Sequence, residues 1–484
     1  MVARPGGAPR PARRGPGRLR RAALLGVALG AAAAAALALA LSPPHASVPD
    51  AGVALSGLVL VEPGGARREG VALVARDGRI ASLDAAPVAG ASDRYAGCFL
   101  LPGLIDLHVH HPPAAAVGQR ELFALLFLAH GVTSVRDVGA FDVGLGRHRA
   151  RIEAGARLGP RVFACGRIVD GEPAGWPGAR VVRDAASAEA AVAALAREGA
   201  DCVKTYNGLD ETSLRAVQAA AAARGLPVLA HVPAAVPFER VEGVEVQHLM
   251  GLANDWQGAT EESVAAYVAS SAAHGVSHTP TLVAFARASA LGRPARAADR
   301  AARLLPRAFR ERIWSPAHNP LLHLLSPDGQ FGALEGRVAL MQRAVSALRE
   351  AGVPVYAGTD TMNPFVVPGA SLHEELRLLA ASGFGPEAAL AIATRRAGER
   401  LAVPGLGRLE PGAPADALLF REDPTRDLAA LDTLEAVVAA GRLVRRDDLL
   451  AAAARQRAHF DAFPYAPLFD AAARAVIRAT AGPR

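Results

Sequence analysis

The chain has 484 residues, enough for one large domain and a smaller one, and 51% of them are apolar with few aromatics. Its formal charge of +7 comes from seven arginines between Arg4 and Arg21, with no acid before Asp50. Without them the charges balance, which excludes the basic excess of a nucleic-acid-binding domain.

Three cysteines, Cys98, Cys165 and Cys202, form no CxxC and no even set. A zinc ribbon and a disulfide framework are thereby excluded, and all three read as small buried hydrophobes. The basic start runs into an uncharged stretch, Ala22 to Leu41, with Ala38-Leu39-Ala40 as a small-residue cleavage site. Basic then apolar is the pattern of export. Residues 1–45 are read as a signal peptide or an N-terminal signal anchor. The protein is expected to be exported, either periplasmic or extracellular, or held at the membrane by this segment.

Residues 52–60 and 70–83 read as short strands, with Asp77-Gly78-Arg79 as a hairpin turn. Strand-like runs return at 407–420 and 434–444. The segments 46–97 and 405–447 are expected to form one small β-sandwich domain. Between them, over 98–404, eight strand-like runs alternate with Ala/Leu/Arg-rich helical stretches. The runs are 104–110, 131–137, 161–165, 200–205, 227–231, 243–248, 276–283 and 353–360. That rhythm predicts an α/β fold of the (β/α)8 TIM-barrel kind. No GxGxxG opens a helix, which disfavours a doubly wound dinucleotide fold. Residues 284–350 are too long for one crossover and are expected to add helices over the barrel mouth. Residues 448–484 read as a helical tail.

The chemistry gathers at the strand ends. His108 and His110 end the first run and share a face, since i and i+2 do so on a strand. Lys204 ends the fourth, His231 the fifth, His248 the sixth and Asp360 the eighth. Barrel enzymes keep their chemistry on this rim, whereas barrel interiors are mostly branched and apolar.

Lys204 is the chain's only lysine. Within a short buried strand its amine must be neutralised or used. It could form a Schiff base with a carbonyl, or take up carbon dioxide as a carbamate. A Schiff base leaves four histidines and Asp360 idle. That donor set suits zinc or a similar first-row ion. Two such ions, about 3.5–4 Å apart in two-metal sites, need an anionic bridge, which a carbamate on Lys204 supplies.

This constellation resembles the amidohydrolase superfamily in its binuclear, carboxylated-lysine branch. The resemblance spans about residues 52–447. The matching pieces are FLLPGLIDLHVH, GVTSVRDVG, DCVKTYNGL, PVLAHVP, VEVQHLMG, AGTD, PGASLHEEL and GRLEPGAPADALLF. Within that superfamily the chain is most similar to peptidase-like and imidazolonepropionase-related members.

The resemblance implies two divalent metal ions. His108, His110 and Asp360 would hold the more buried one, His231 and His248 the more exposed one, with carboxylated Lys204 bridging. It further implies attack by a bridging hydroxide on an amide carbonyl, with Asp360 moving the proton to the leaving amine.

Tyr206, just past Lys204, is a candidate for stabilising the oxyanion or holding a substrate carboxylate. His278 and Arg136 are candidate substrate contacts, although Arg136-Asp137 also reads as a structural pair. Asn207 reads as a turn residue, and His111 as a residue shaping its loop. Trp176, Trp256 and Trp314 are candidate pocket walls.

The expected activity is hydrolysis of a C–N bond in a dipeptide or N-acyl amino acid. The alternatives are a cyclic amide, lactone or other ester substrate on the same site, or a metal-holding binding protein without catalysis. The expected partner is a small-molecule amide. No nucleic acid is expected, and a homo-oligomer is left open.

Overall fold

The computed structural model describes residues 42–480, apart from 66, 86–87, 114–115, 141–143, 177, 253–257, 292–298, 320–321 and 323–330. The leader expected over 1–45 therefore lies almost wholly outside the described residues, as does Trp256.

The N-terminal strands form where branched apolar residues alternate with polar ones. They are β1 (Val53–Val61), β2 (Arg67–Arg76) and β3 (Arg79–Asp84). β2 and β3 turn back on each other at Asp77 and Gly78, both left-handed (φ 50° and 73°), as the hairpin signal predicts. A fourth strand, β4 (Phe99–Pro102), runs parallel to β1.

Next come the three strands of a parallel sheet in the order β5-β6-β7: β5 (Leu104–Val109), β6 (Val132–Asp137) and β7 (Arg161–Ala164). A second parallel sheet follows, in the order β13-β12-β11-β10-β8-β9. Its members are β8 (Val169–Asp170), β9 (Arg180–Val181), β10 (Val203–Thr205), β11 (Val228–Ala230), β12 (Glu245–Gln247) and β13 (Ser277–Thr279). β5, β6, β10, β11 and β12 are buried along their whole length, as parallel strands covered on both faces must be. Helices Gln119–Ala129, Ala185–Arg197, Glu211–Ala222, Glu261–Ala273 and Leu334–Glu350 connect them.

The chain returns through β14 (Ala417–Phe420), β15 (Leu434–Ala439) and β16 (Arg442–Arg445). Because β4 pairs with β1 on one side and β14 on the other, the two ends of the chain share one seven-stranded sheet, β16-β15-β14-β4-β1-β2-β3. The expected pair of packed sheets is thus a single hydrogen-bonded one. Leu58, Leu73, Leu100, Leu419 and Val438 fill its core. The expected tail is two helices, Arg446–Phe460 and Tyr465–Thr480. No helix among the described residues is long and apolar enough to cross a membrane.

Two expectations need correction. The run 353–360 is not a strand. It makes single bridges only, Val355 to His278 and Thr361 to Val109. Pro354 cannot donate to a ladder, and left-handed Asp360 and Met362 turn the chain out of extended conformation. Among the described residues the strand ladder is therefore not closed into a regular eight-stranded barrel, and the strands of the middle pair as two parallel sheets.

The second correction concerns the cysteines. Cys165 and Cys202 form a disulfide, and only Cys98 is free. The bridge sits between β7, the edge of one sheet, and the start of β10 in the other. Backbone contact there is limited to Asp201 N–H donating to Ala164 O (2.8 Å), supported by Ala164 N–H donating to Asp201 Oδ2 (2.8 Å). Adjacent strand ends bring the two sulfurs together across 37 residues of sequence, which spacing alone does not show.

A bridge closing such a loop contributes about 2–4 kcal/mol. The Cys165→Ala/Cys202→Ala double variant should lose stability of that order in urea unfolding. A midpoint unchanged from wild type would show that the seam holds without it.

Candidate metal centre

His108 lies in β5 and His110 directly after it. Lys204 is the middle residue of β10. His231 and His248 are the first residues past β11 and β12. Asp360 lies in the bridging segment alongside β5, its N–H donating to His108 O (2.7 Å).

The side chains converge. Asp360 Oδ1 is 3.4 Å from His108 Nε2 and 3.3 Å from His110 Nε2, and its Oδ2 is 3.8 Å from His248 Nδ1. The His248 ring centre is 4.7 Å from those of both His108 and His231. Donor atoms of His108, His248 and Asp360 all lie within 4.8 Å of one another.

The local backbone is bent to achieve this. His248 and Asp360 are both left-handed (φ 61° and 60°), a conformation that costs a non-glycine residue about 1–3 kcal/mol and recurs where function requires it. Asp106, fully buried, fastens the Asp360 segment. It accepts from Thr359 N–H (3.0 Å) and Thr359 Oγ1–H (2.7 Å), and from His108 N–H (3.2 Å). Gly358 lets that segment approach β5, since a Cβ there would lie 2.6 Å from His108 Cβ.

All four imidazoles have Nδ1 engaged. His108 Nδ1 faces Gln247 Oε1 (2.5 Å), His110 Nδ1 faces Gly139 O (3.3 Å), His231 Nδ1 faces Asn207 Oδ1 (3.0 Å) and His248 Nδ1 faces Thr281 Oγ1 (2.6 Å). The Gly139 carbonyl can only accept. Gln247 spends its amide protons on Glu245, at the backbone oxygen and Oε1 (both 3.1 Å), so its oxygen faces His108. Thr281 donates its own proton to Pro280 O (2.7 Å), so its oxygen accepts from His248. Each ring therefore carries its proton on Nδ1 and keeps a lone pair on Nε2.

That is the tautomer a metal requires, with the outer partners that fix it. His108 Nε2 and Lys204 Nζ are moreover buried without a hydrogen-bond partner. Such orphaned atoms are costly unless something binds them. The donor set fits a divalent first-row ion.

The titration behaviour agrees. Burial pushes Lys204 from the usual lysine range down to about 7 and His108 down to about 4. Loss of solvent around the rings carries His231 and His248 well below the usual histidine value. Burial alone would also lower His110, but Asp360 outweighs it and draws the ring up. Burial alone would raise Asp360; the imidazoles, His108 foremost, hold it well below the carboxylate range.

Tyr206 stacks on His231 with ring centres 4.4 Å apart, and Trp176 stacks on His110 at 5.4 Å and meets Tyr206 edge-on. Trp176, a candidate pocket wall in the sequence, thus lies against the site, and Tyr206, a candidate for oxyanion or carboxylate contact, lies beside it. Trp314 does not; it is buried between Phe309 and Phe365.

Arg136 is not at the mouth either. It is 2% exposed and grips the Glu245 carboxylate with both terminal nitrogens, while its Nε donates to Leu107 O (2.8 Å). His278, expected to touch substrate, turns to the helix Glu261–Ala273, where it meets Tyr267 (3.3 Å) and Ser271 (3.0 Å). In both cases the neighbour that claims the side chain is far along the chain or on the covering helix. His111 is held by Asp137 (2.8 Å) and shapes its loop as expected.

Asn207, read as a turn residue, orients His231. Gln247, Thr281 and Asp106 escaped notice because neutral or single polar residues next to ligands carry no pattern of their own.

The sequence pattern of the amidohydrolase family matches residues 99–444. An uncharacterised protein of Mycobacterium tuberculosis is 29% identical over 385 residues, covering 76% of this chain and 90% of the relative. The structure of bottromycin amidohydrolase is similar, with a TM-score of 0.66, 25% identity, and coverage of 88% of this chain and 93% of that one. A putative prolidase from Bifidobacterium longum gives a TM-score of 0.63, 25% identity, and coverage of 84% and 100%. The chain belongs to the amidohydrolase family. It is an enzyme, a hydrolase of carbon–nitrogen bonds in small molecules.

Removing an outer partner of a ligating histidine costs about 10–100-fold in metal affinity. Gln247→Leu leaves the His108 Nδ1–H without an acceptor and should weaken divalent-metal binding by that order in a chelator competition. Wild-type affinity in the variant would remove Gln247 from this role.

Proposed function

We propose that this enzyme is a binuclear metal-dependent hydrolase that cleaves the amide bond of a dipeptide or an N-acyl amino acid. The observation that carries this reading is the buried, unpartnered amine of Lys204 among four imidazoles whose Nδ1 atoms are all engaged by other groups. The likeness to a putative prolidase supports the choice of substrate class. We further infer that the two parallel sheets are walls of one (β/α)8 barrel, supported by the single bridges at Val355 and Thr361 and the contacts at Ala164.

His108, His110 and Asp360 would hold one ion, and His231 and His248 the other. Lys204 as its carbamate would serve both. Zinc suits the nitrogen-rich set. Such ions supply Lewis acidity toward a carbonyl oxygen and make water acidic near neutral pH.

The chain's own residues do the rest. Lys204, held down to about 7, has an amine free to add to the carbon of carbon dioxide, losing a proton as the N–C bond forms. Asp360 is anionic and takes the proton of the water whose oxygen bonds to the amide carbon. It returns that proton to the nitrogen as the C–N bond breaks. Burial pushes the Tyr206 phenol up to about 12, so it stays a donor and can stabilise charge on the carbonyl oxygen.

Export is part of the proposal. The basic-apolar start and a disulfide across the sheet seam both suit an oxidising compartment.

The test joins metal content to turnover. Mass spectrometry should find about two ions per wild-type chain, with clear loss in Lys204→Arg. Asp360→Asn, with metal still bound, should abolish turnover of a dipeptide and N-acyl amino acid panel. One ion in wild type and Lys204→Arg alike would sink the bridging role. Full activity in Asp360→Asn would sink the proton carrier.

A further inference from the structure

The site has a second wall, beyond His248, and it holds a cation with no counter-ion among the described residues. The helix Leu334–Glu350 leads into the segment where Pro354 and Tyr356 bond to His278 of β13 (2.9 and 2.8 Å). It therefore runs back against the strands, and its first turn lies at the strand ends where His248 and Asp360 sit. Arg337 is in that turn.

Its guanidinium carbon lies 4.2 Å from the centre of the Phe285 ring, and the Phe285 ring lies 6.2 Å from that of His248. Arg337 is half-buried, its Nε is buried without a hydrogen-bond partner, and no described carboxylate pairs with it. The other arginines of this region differ. Arg287, two residues from Phe285, is neutralised by Glu374 and Asp299, and Arg136 and Arg400 share Glu245. Burial lowers Arg337 from the ordinary arginine value to about 10, so it remains charged at neutral pH.

A partly desolvated charge without a counter-ion is unfavourable. Stacking on Phe285 offsets part of that and fixes the plane of the guanidinium. The N–H edge is left for a planar anion that accepts two parallel hydrogen bonds, which is the geometry of a carboxylate.

We propose that Arg337 is the specificity-determining residue that binds the free carboxylate of the substrate. This rests on the hydrolase reading above and deepens it. The aromatic wall of Trp176 and Tyr206 lies over His110 and His231, whereas Phe285 lies against His248. The substrate is thereby an amide with a carboxylate toward Arg337 and an apolar group toward the aromatic wall.

The test uses the full metal-loaded enzyme, a series of N-acetyl amino acids and their C-terminal primary amides, with acetate release as readout. Wild type should prefer each acid over its amide by about tenfold or more in kcat/KM, the worth of one charge-assisted pair. Arg337→Gln should collapse that preference through KM for the acid, with Arg337→Lys restoring part of it. Its melting temperature should change little, because the stacking on Phe285 that is lost is offset by relief of a partly buried charge.

Equal loss on acid and amide, or a preference that survives in Arg337→Gln, would overturn the assignment. If wild type hydrolyses no member, the hydrolase reading for this substrate class fails, and calorimetric titration with N-acetylphenylalanine decides the residue. Binding about tenfold weaker in Arg337→Gln supports it; no binding, or equal affinity in both proteins, overturns it.

Discussion

The site depends on one buried carboxylate, Glu245. It has no exposed surface, and an unpaired charge there would be prohibitive. Burial alone would raise its pKa; the charges of Arg136 and Arg400 outweigh burial and hold it well below the ordinary range. Thr279 donates to it as well (2.7 Å). So neutralised, it becomes a fixed acceptor for the amide of Gln247. Gln247 sets the tautomer of His108, and the backbone oxygen of Thr279 receives the N–H of His248. A single ion cluster thus places two histidines of the candidate metal centre on two different sheets.

Much of this site was legible in the chain. The parallel strands appeared as short apolar runs, and their ends carried the histidines, the lysine and the aspartate that do converge. What could not be read was pairing. Arg136 looks the same in sequence whether it faces solvent, substrate or Glu245 more than a hundred residues away. The disulfide is equally silent, because adjacent strand ends juxtapose Cys165 and Cys202 whatever the spacing. Arg337 lay in a stretch, 284–350, whose turns follow no periodic rule. The eighth run was apolar enough to suggest a strand, but Pro354 and the left-handed turn at Asp360 keep it from forming a ladder.

Strain is concentrated where the chemistry is. His248, Thr281 and Asp360 are all left-handed without being glycine, and each is pinned: Thr281 by its bond to His248, Asp360 through Asp106 and Thr359. Rigid sheets on either side supply the stiffness that holds these conformations. The two aromatic faces, Trp176 with Tyr206 and Phe285 with Arg337, rest on the imidazoles of the candidate site. Ring orientation and the shape of the mouth are therefore set together.

The lone lysine has a consequence outside catalysis. With Lys204 at 1% exposure and no other lysine in 484 residues, the folded surface offers no side-chain primary amine. Reducing sugars, aldehydes and activated esters, which age or label ordinary proteins through surface lysines, find no lysine there, and the guanidinium that replaces it is a far weaker nucleophile at neutral pH. Any electrophile that is to react with this chain's side-chain amine must first be small enough to penetrate the fold.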